Sequence, residues 1–437
     1  MKNLRRLSLM LLSALLFISM TFPVLAGANA EKKITIDFMW ENVTDSSVEI
    51  WNKYVFEPFE AEHPNVKINF MPTPDWQTVV QAQLASGSGP DIFLIEPFDV
   101  PAFTKGGQIM PLDAYAEKYN WRDRIFDWAL DSTSVDGKLM TLPHSYETTM
   151  LWYNKDLLDQ YNWPVPKTRT EFELVCSKAK EEGLLPIVYG TKGGISNNMW
   201  VISDYMSSYC GAEALNKLYA GELKFTDEPI RGAFQQYYDD WKNGWFTDQK
   251  SASIDYDTMC QIWQSGEGVF IPQGSWYAYA ILAGDIPFDF GVTEWPSMRD
   301  GVSATQPVGI GATFGINKNS DCPDECAAFL DSLYMPERAA QGVVNGLQAL
   351  PIEIDSSLYP ANLNPDYLSV LELMSSVEDK GTLGYTVWTF CPGNTTSYLF
   401  NNIDKLFYDQ ITLDEYLKGA QAEMDKDFAS GWKSPMK

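Results

Sequence analysis

The chain has 437 residues, and 58 Asp and Glu against 32 Lys and Arg give it a formal charge of −26. That excess of anions excludes nucleic acid as a partner, because there is no basic stripe to displace phosphate counterions, and it opposes a peripheral hold on an anionic membrane. A hydrophobic content of 45%, with 23 Phe, 22 Tyr and 15 Trp, excludes intrinsic disorder and supplies a large core for two or three domains.

Residues 1–30 read as a secretory signal peptide. Lys2, Arg5 and Arg6 form a basic end, an apolar run extends from Leu7 to Ala26, and Ala26-Gly27-Ala28 and Ala28-Asn29-Ala30 offer small-residue cleavage sites. The run is near the length of a membrane span, but Pro23 and the small residues after it favour cleavage. Leu25-Ala26-Gly27 is followed by Ala28, not by the Cys that carries lipid in a bacterial lipoprotein. The expected mature protein is exported to the periplasm or beyond, begins near Glu31 and has no lipid anchor.

Next, Ile34, Ile36 and Phe38 alternate with polar residues, as in a half-buried strand. Asp45-Ser46 can cap a helix whose apolar positions are Val48, Trp51, Val55 and Phe59, and Pro64 stops it. Val66, Ile68 and Phe70 alternate again, and a second helix from Trp76 to Leu84 ends at Gly87-Ser88-Gly89. Ile92-Phe93-Leu94-Ile95 then has the continuous apolar character of a strand buried on both faces. This alternation predicts a parallel sheet with right-handed crossovers. Further on, Glu171–Lys180, Ile230–Trp241 and Asp324–Tyr334 have helical texture, while Leu185–Tyr189 and Gly268–Ile271 resemble strands. With no low-complexity linker, the pattern predicts two α/β lobes with the chain crossing between them more than once.

The six cysteines (Cys176, Cys210, Cys260, Cys322, Cys326 and Cys391) leave fifteen pairings open. A bridge from Cys322 to Cys326 requires Cys322 to lie outside the helix that starts at Pro323. No C-x-x-C occurs and the two histidines, His63 and His144, are far apart, so no metal site and no cofactor is expected.

Several ordered segments resemble the extracellular solute-binding proteins of sugar-importing ABC transporters, family 1, of the maltose-binding-protein type. Ala85-Ser86-Gly87-Ser88-Gly89-Pro90-Asp91-Ile92 is similar to the family's Gly-Pro-Asp turn into a strand. Gly137-Lys138-Leu139 with Leu142-Pro143 resembles the first interlobe crossing, and Leu151-Trp152-Tyr153-Asn154-Lys155-Asp156-Leu157-Leu158 resembles the segment just after it. Pro166-Lys167-Thr168-Arg169-Thr170-Glu171-Phe172 is similar to a Pro-x-Thr-Trp-x-Glu-Phe block, with Arg169 in place of Trp. Gly266–Phe270 leading to Gly274-Ser275-Trp276, then Ile316–Ser320 with the helix after it and Pro351, complete the series.

The resemblance implies a two-lobed α/β periplasmic-binding-protein fold of type II. Its N-terminal lobe would hold 31–143 and 306–350, and its C-terminal lobe 144–305 and 351–437, with hinge crossings near Pro143 and 296–306. It further implies a carbohydrate ligand in the cleft, permease subunits of an ABC transporter as partners, and a monomer that is not an enzyme. Sugar rings present apolar C–H faces to aromatics and hydroxyls to carboxylates. Transferred by position, the implied contacts are Trp276 and Trp388 as stacking platforms, Glu147 past the crossing, and Trp40 and Glu41 at the first strand's end. Glu96, Phe98 and Asp99 follow the Pro90-Asp91 strand, Asn197, Asn198 and Trp200 match a further ligand loop, and Gly309 and Gly311 would admit the ligand to the backbone. Trp51 and Trp152 read as core, and Asp91 as a support for its turn. The rival readings are a binding protein for a peptide, polyamine or phosphorylated polyol, and a secreted glycoside hydrolase using paired carboxylates. Gly309–Gly315 misses the dinucleotide-binding spacing, and no P-loop, H-E-x-x-H or G-x-S-x-G is present.

Overall fold

A computed structural model describes residues 33–435 apart from 42, 44, 193–194 and 378–382, so the expected signal at 1–30 lies outside the described residues. Its strands are β1 (Ile34–Glu41), β2 (Val66–Thr73), β3 (Ile92–Ile95), β4 (Ser134–Val135), β5 (Lys138–Leu139), β6 (Leu142–Pro143) and β7 (Tyr146–Asn154). They continue as β8 (Leu185–Ile187), β9 (Gly268–Gly274), β10 (Phe290–Thr293), β11 (Gln306–Ile310), β12 (Thr313–Ile316) and β13 (Leu383–Tyr385).

The first sheet has the order β2-β1-β3-β12-β6. β1 pairs in parallel with β2, Ile34 opposite Val66, and with β3, Phe38 opposite Ile92. The parallel trio follows from the crossover helices between its strands. The first is broken into Asp45–Trp51, a π turn over Asn52–Phe56, and Glu57–Glu62; the second is Trp76–Ala85. Trp51, Val55 and Phe59, spaced three and four apart, are all buried. β12 joins late in the chain, antiparallel to β3 and β6. The core beneath this sheet gathers Phe38, Trp51, Phe314 and Phe329.

The second sheet has the order β13-β11-β7-β9-β8, with β10 also on β7. Its faces are covered by separate cores, one holding Phe172, Tyr205 and Trp295, the other Met150, Trp152 and Tyr277. The helix Arg169–Glu181 opens with a capping box in which Thr168 and Glu171 satisfy each other's backbone N–H groups. Arg169 forms a fork to Asp240, both contacts at 2.5 Å, and lies over the Trp245 ring at 5.4 Å. Where the resembling family has Trp, this chain fills the position with a guanidinium that supplies both the packing and a counter-charge for a fully buried acid.

The chain passes between the sheets at three adjoining places. His144-Ser145 joins β6 to β7, and Gly311-Ala312 joins β11 to β12; they are tied by His144 N–H donating to Ala312 O at 2.7 Å. The third comes later: Ala349 O accepts from Tyr146 N–H at 2.6 Å, Leu350 and Ile352 still pack in the first core with Ile352 bridged to Ile125, and the chain reaches a core of the second sheet by Tyr367 and Val370. The crossing expected at 296–306 therefore falls later. β11 belongs to the second sheet, Val308 standing opposite Thr148 on β7 and Tyr385 on β13, and those partners are remote in sequence.

Candidate functional site

β9 ends at Gly274, and the turn Ser275–Ala278 lays the Trp276 ring across that glycine. A Cβ at Gly274 would come within 2.2 Å of the ring, so only glycine permits the arrangement. Trp276 is half-buried, its Nε1–H donates to Gln273 Oε1 at 3.2 Å, and its ring centre is 4.6 Å from that of Trp200. Trp388, on the helix Val387–Phe390, meets Trp276 nearly edge-on at 6.3 Å. Three tryptophans remote in sequence thus form one cluster, with Trp200 and Trp276 keeping partial exposure and Trp388 behind them at 4%.

Carboxylates converge from both sheets. The C-terminal ends of parallel β1 and β3 fall on one edge of the first sheet, which brings Glu41 and Glu96 together, and Asp99 follows in the turn Pro97–Asp99. From the second sheet comes Glu147, the second residue of β7. Burial and then the charges of Glu147, Asp99 and Glu41 push Glu96 up to about 8, against a small opposing effect from the Gln77 side chain, 3.2 Å away. Glu147 is likewise pushed up to about 8, by burial and by Glu41, although the Ser145 hydroxyl donates to it at 3.2 Å. Burial raises Asp99 and Glu41 too, although Glu41 keeps a solvent-exposed part. Among the described residues, none of the four forms an ion pair with Lys, Arg or His. At neutral pH protonated Glu96 and Glu147 can donate, and the carboxyl oxygens of the group can accept, which suits hydroxyls.

The aromatic and acidic groups adjoin. Thr148, next to Glu147, contacts Ser275 Oγ through its backbone N–H at 3.4 Å, and Ser275 precedes Trp276. Gly311 makes room for the acid: a Cβ there would lie 1.9 Å from Glu147 Oε1, while Gly311 N–H donates to Ser145 Oγ at 3.1 Å.

Six expected contacts take other places. Trp40 is buried in the first core, its ring 4.6 Å from Trp51 and 4.5 Å from His144, because the inward alternation of β1 carries it beneath the sheet. Asn197 and Asn198 are on the helix Ile195–Cys210, not a loop, and are buried: Asn197 donates to Gly190 O, while Asn198 accepts from Tyr189 and donates to Phe400 O at 3.0 Å. At Gly309 the close neighbour is the chain itself, since a Cβ would fall 2.0 Å from Thr386 Oγ1. Trp388 backs the platform instead of forming its surface. Phe98 packs against the second core and helps bound a cavity of about 370 Å³ with Ser134, Thr389, Trp432 and Lys433. A second cavity, about 480 Å³, lies among Trp128, Tyr146, Val308, Tyr359 and Met374, and a small one of about 40 Å³ touches Trp276. None of the four carboxylates lines these cavities. Sequence reasoning missed Gln77, Ser145 and Gln273, the polar side chains that orient Glu96, Glu147 and Trp276; only the closeness of Ser145 to Glu147 offered a signal.

The model of the family described as bacterial extracellular solute-binding protein matches residues 44–340. The chain belongs to that family. This solute-binding protein is similar to the Multiple sugar-binding protein of Streptococcus mutans, 24% identical over 65% of this chain and 67% of that protein. It is similar also to the Maltotriose-binding protein of Pyrococcus abyssi, at 25% over 60% and 54%, and to an ABC transporter extracellular-binding protein of Pyrococcus horikoshii, at 27% over 56% and 57%. The matched stretch thus spans little more than half the length of these two. In fold it resembles a chitin oligosaccharide binding protein (TM-score 0.77, 20% identity, 90% of this chain and 99% of that one) and a maltose-bound Thermotoga maritima protein (0.70, 20%, 90% and 99%). The solute-binding protein has the mixed α/β, two-lobed architecture of these structures.

Proposed function

We propose that this protein binds a carbohydrate between its lobes and delivers it to the permease of an ABC importer, as a monomer and without catalysing a reaction. The observation that carries this reading is the half-buried Trp200–Trp276 surface, linked through Ser275 and Thr148 to Glu147, around which Glu96, Glu41 and Asp99 gather beside the crossings. Aromatic faces suit sugar C–H surfaces, and acids that can both donate and accept suit the hydroxyl rim. Named relatives that bind maltotriose and multiple sugars support the same reading. The lobes would be 31–143 with the chain from Thr313 to about 354, and 144–310 with the rest of the chain, closing about the three crossings. Export without a lipid anchor fits extracellular work and the small-residue cleavage pattern at 26–30.

A thermal-shift screen over mono- and oligosaccharides tests the proposal, because a ligand held only by the folded state raises its melting temperature. A second reading, a cationic solute such as an amino sugar or polyamine, is favoured by the acid cluster and its lack of ion-pair partners among the described residues. It predicts affinity that weakens steeply with salt, whereas a neutral sugar predicts little dependence. Stabilisation by peptides alone, with no response to either class, would overturn both readings.

A further inference from the structure

Of the six cysteines, Cys322 and Cys326 are the two whose sulfurs meet among the described residues, at 3.9 Å. Cys322 stands at the N-cap of the helix Pro323–Leu333 with φ −137° and ψ 49°, outside the helix, so its side chain is free of the divergence that separates residues four apart within one. Cys326 lies in the first turn, its N–H donating to Cys322 O at 3.0 Å. Ser320 Oγ is 3.7 Å and 3.8 Å from the two sulfurs and donates to Asp91 Oδ1 at 2.6 Å.

With Asp91 nearby, the group has three potential metal donors within 4.8 Å of one another. It is poorly suited to that role. A closed zinc site needs four good ligands, and both Asp91 oxygens are already engaged, Oδ1 by Ser320 and Oδ2 by the Asp37 N–H at 2.9 Å. A pair of thiols held in contact in a protein of an extracellular family has a simpler chemistry, because disulfides persist outside the reducing cytoplasm.

We propose that Cys322 and Cys326 are an oxidation site, joined in the exported protein as a disulfide that closes the Cys322-Pro323-Asp324-Glu325-Cys326 turn. The inference rests on family membership and not on the nature of the ligand. Bond formation requires the sulfurs to close to about 2.05 Å, within reach of side-chain rotation at a residue outside the helix. The oxidant is a disulfide-bearing thiol oxidant encountered while the chain folds after export, since both sulfurs are buried afterwards. One thiolate of the pair attacks the oxidant's S–S bond and releases its first thiol. The other then attacks the mixed disulfide and releases the second, so two electrons and two protons pass from the pair to the oxidant.

The staple has a structural consequence. Asn317 donates to Pro90 O at 3.0 Å and its backbone N–H to Asp91 O at 2.9 Å, so the segment 317–322 is fastened to the Gly-Pro-Asp turn that feeds β3 and then Glu96. A disulfide fixes the helix Pro323–Leu333 to that same segment.

Protein collected from the medium or periplasm is denatured, alkylated with N-ethylmaleimide before any reduction, and mapped by mass spectrometry. The expected result is alkyl groups on Cys176, Cys210, Cys260 and Cys391, and a peptide holding Cys322 and Cys326 that is unalkylated and about 2 Da lighter than its dithiol form. Alkylation of both residues overturns the proposal. Stoichiometric zinc in the native protein, with both thiols alkylated once a chelator removes it, overturns it in favour of a metal site. As a second measurement, a reductant should lower the melting temperature of the wild type and leave Cys322→Ser/Cys326→Ser unchanged. Equal responses in the two proteins would also overturn it.

Discussion

Truncating Trp276 to Ala separates its two faces. The side chain is half-buried, with one face against Gly274 and the ring adjoining Trp200 and Trp388, while the remainder is open for a ligand. If the exposed part of the indole, on the order of 50 Å², is covered by a sugar, its loss removes about 1 kcal/mol of apolar burial and about 1 kcal/mol of ring contact, a roughly 30-fold rise in Kd. The buried part forfeits ~2 kcal/mol of stability, because part of its packing is lost and a shallow cavity at the surface admits water. Trp388→Ala serves as the contrast. At 4% exposure it is a core substitution and should cost about 3–5 kcal/mol of stability. Calorimetric titration with the stabilising sugar and urea unfolding, run on both variants, give the four numbers required. Wild-type affinity in Trp276→Ala, together with a stability loss as large as that of Trp388→Ala, would refute the platform and return Trp276 to the core.

Three further outcomes are expected from the same geometry. Glu96 and Glu147 stand near 8 in the folded protein against an ordinary 4.5, so between those values the folded chain holds protons that the unfolded chain has released, and their contribution to stability falls as pH rises from about 4.5 to about 8. Buried Asp204, also near 8, adds to that fall, whereas His144, held neutral with its pKa lowered to about 3, contributes a rise from about 3 to 6.5. Melting temperatures of the ligand-free wild type should therefore decline from about pH 6.5 to pH 8, and decline less in Glu96→Gln/Glu147→Gln; identical slopes would count against buried, mutually repelling acids. Gly311→Ala drives a methyl into the Glu147 carboxylate and should weaken ligand binding about tenfold or more while costing on the order of 1–3 kcal/mol, read by titration and denaturation. Arg169→Met leaves fully buried Asp240 with only the Tyr205 hydroxyl, and a loss of about 3–5 kcal/mol is expected in urea; a loss under about 1 kcal/mol would mean that the guanidinium contributes packing alone.

Local order was written in the sequence wherever a short-range pattern had one physical solution. The three-and-four spacing of Trp51, Val55 and Phe59 buries one helical face whatever surrounds it, and the unbroken Ile92–Ile95 run can be satisfied only between two neighbours in a sheet. The capping box at Thr168 and Glu171 is likewise complete within four residues. The ordered blocks from Ala85 to Pro351 carried the family. What the sequence left open were contacts between remote segments. Alternation cannot tell an inward residue at a strand's end from one that opens into a cleft, and the packing of Trp51, His144 and Phe314 around Trp40 decided that it lies inward. Asn197 and Asn198 have side chains equally able to bind a sugar or a backbone carbonyl, and the arrival of Gly190 and Phe400 settled the choice. The place of β11 depended on pairing with β7 and β13, which no local signal encodes. The acids at 41, 96, 99 and 147 were legible as separate residues, but their raised pKa values arise from burial and from charges brought together out of three chain segments, which exist only once both sheets have folded against each other.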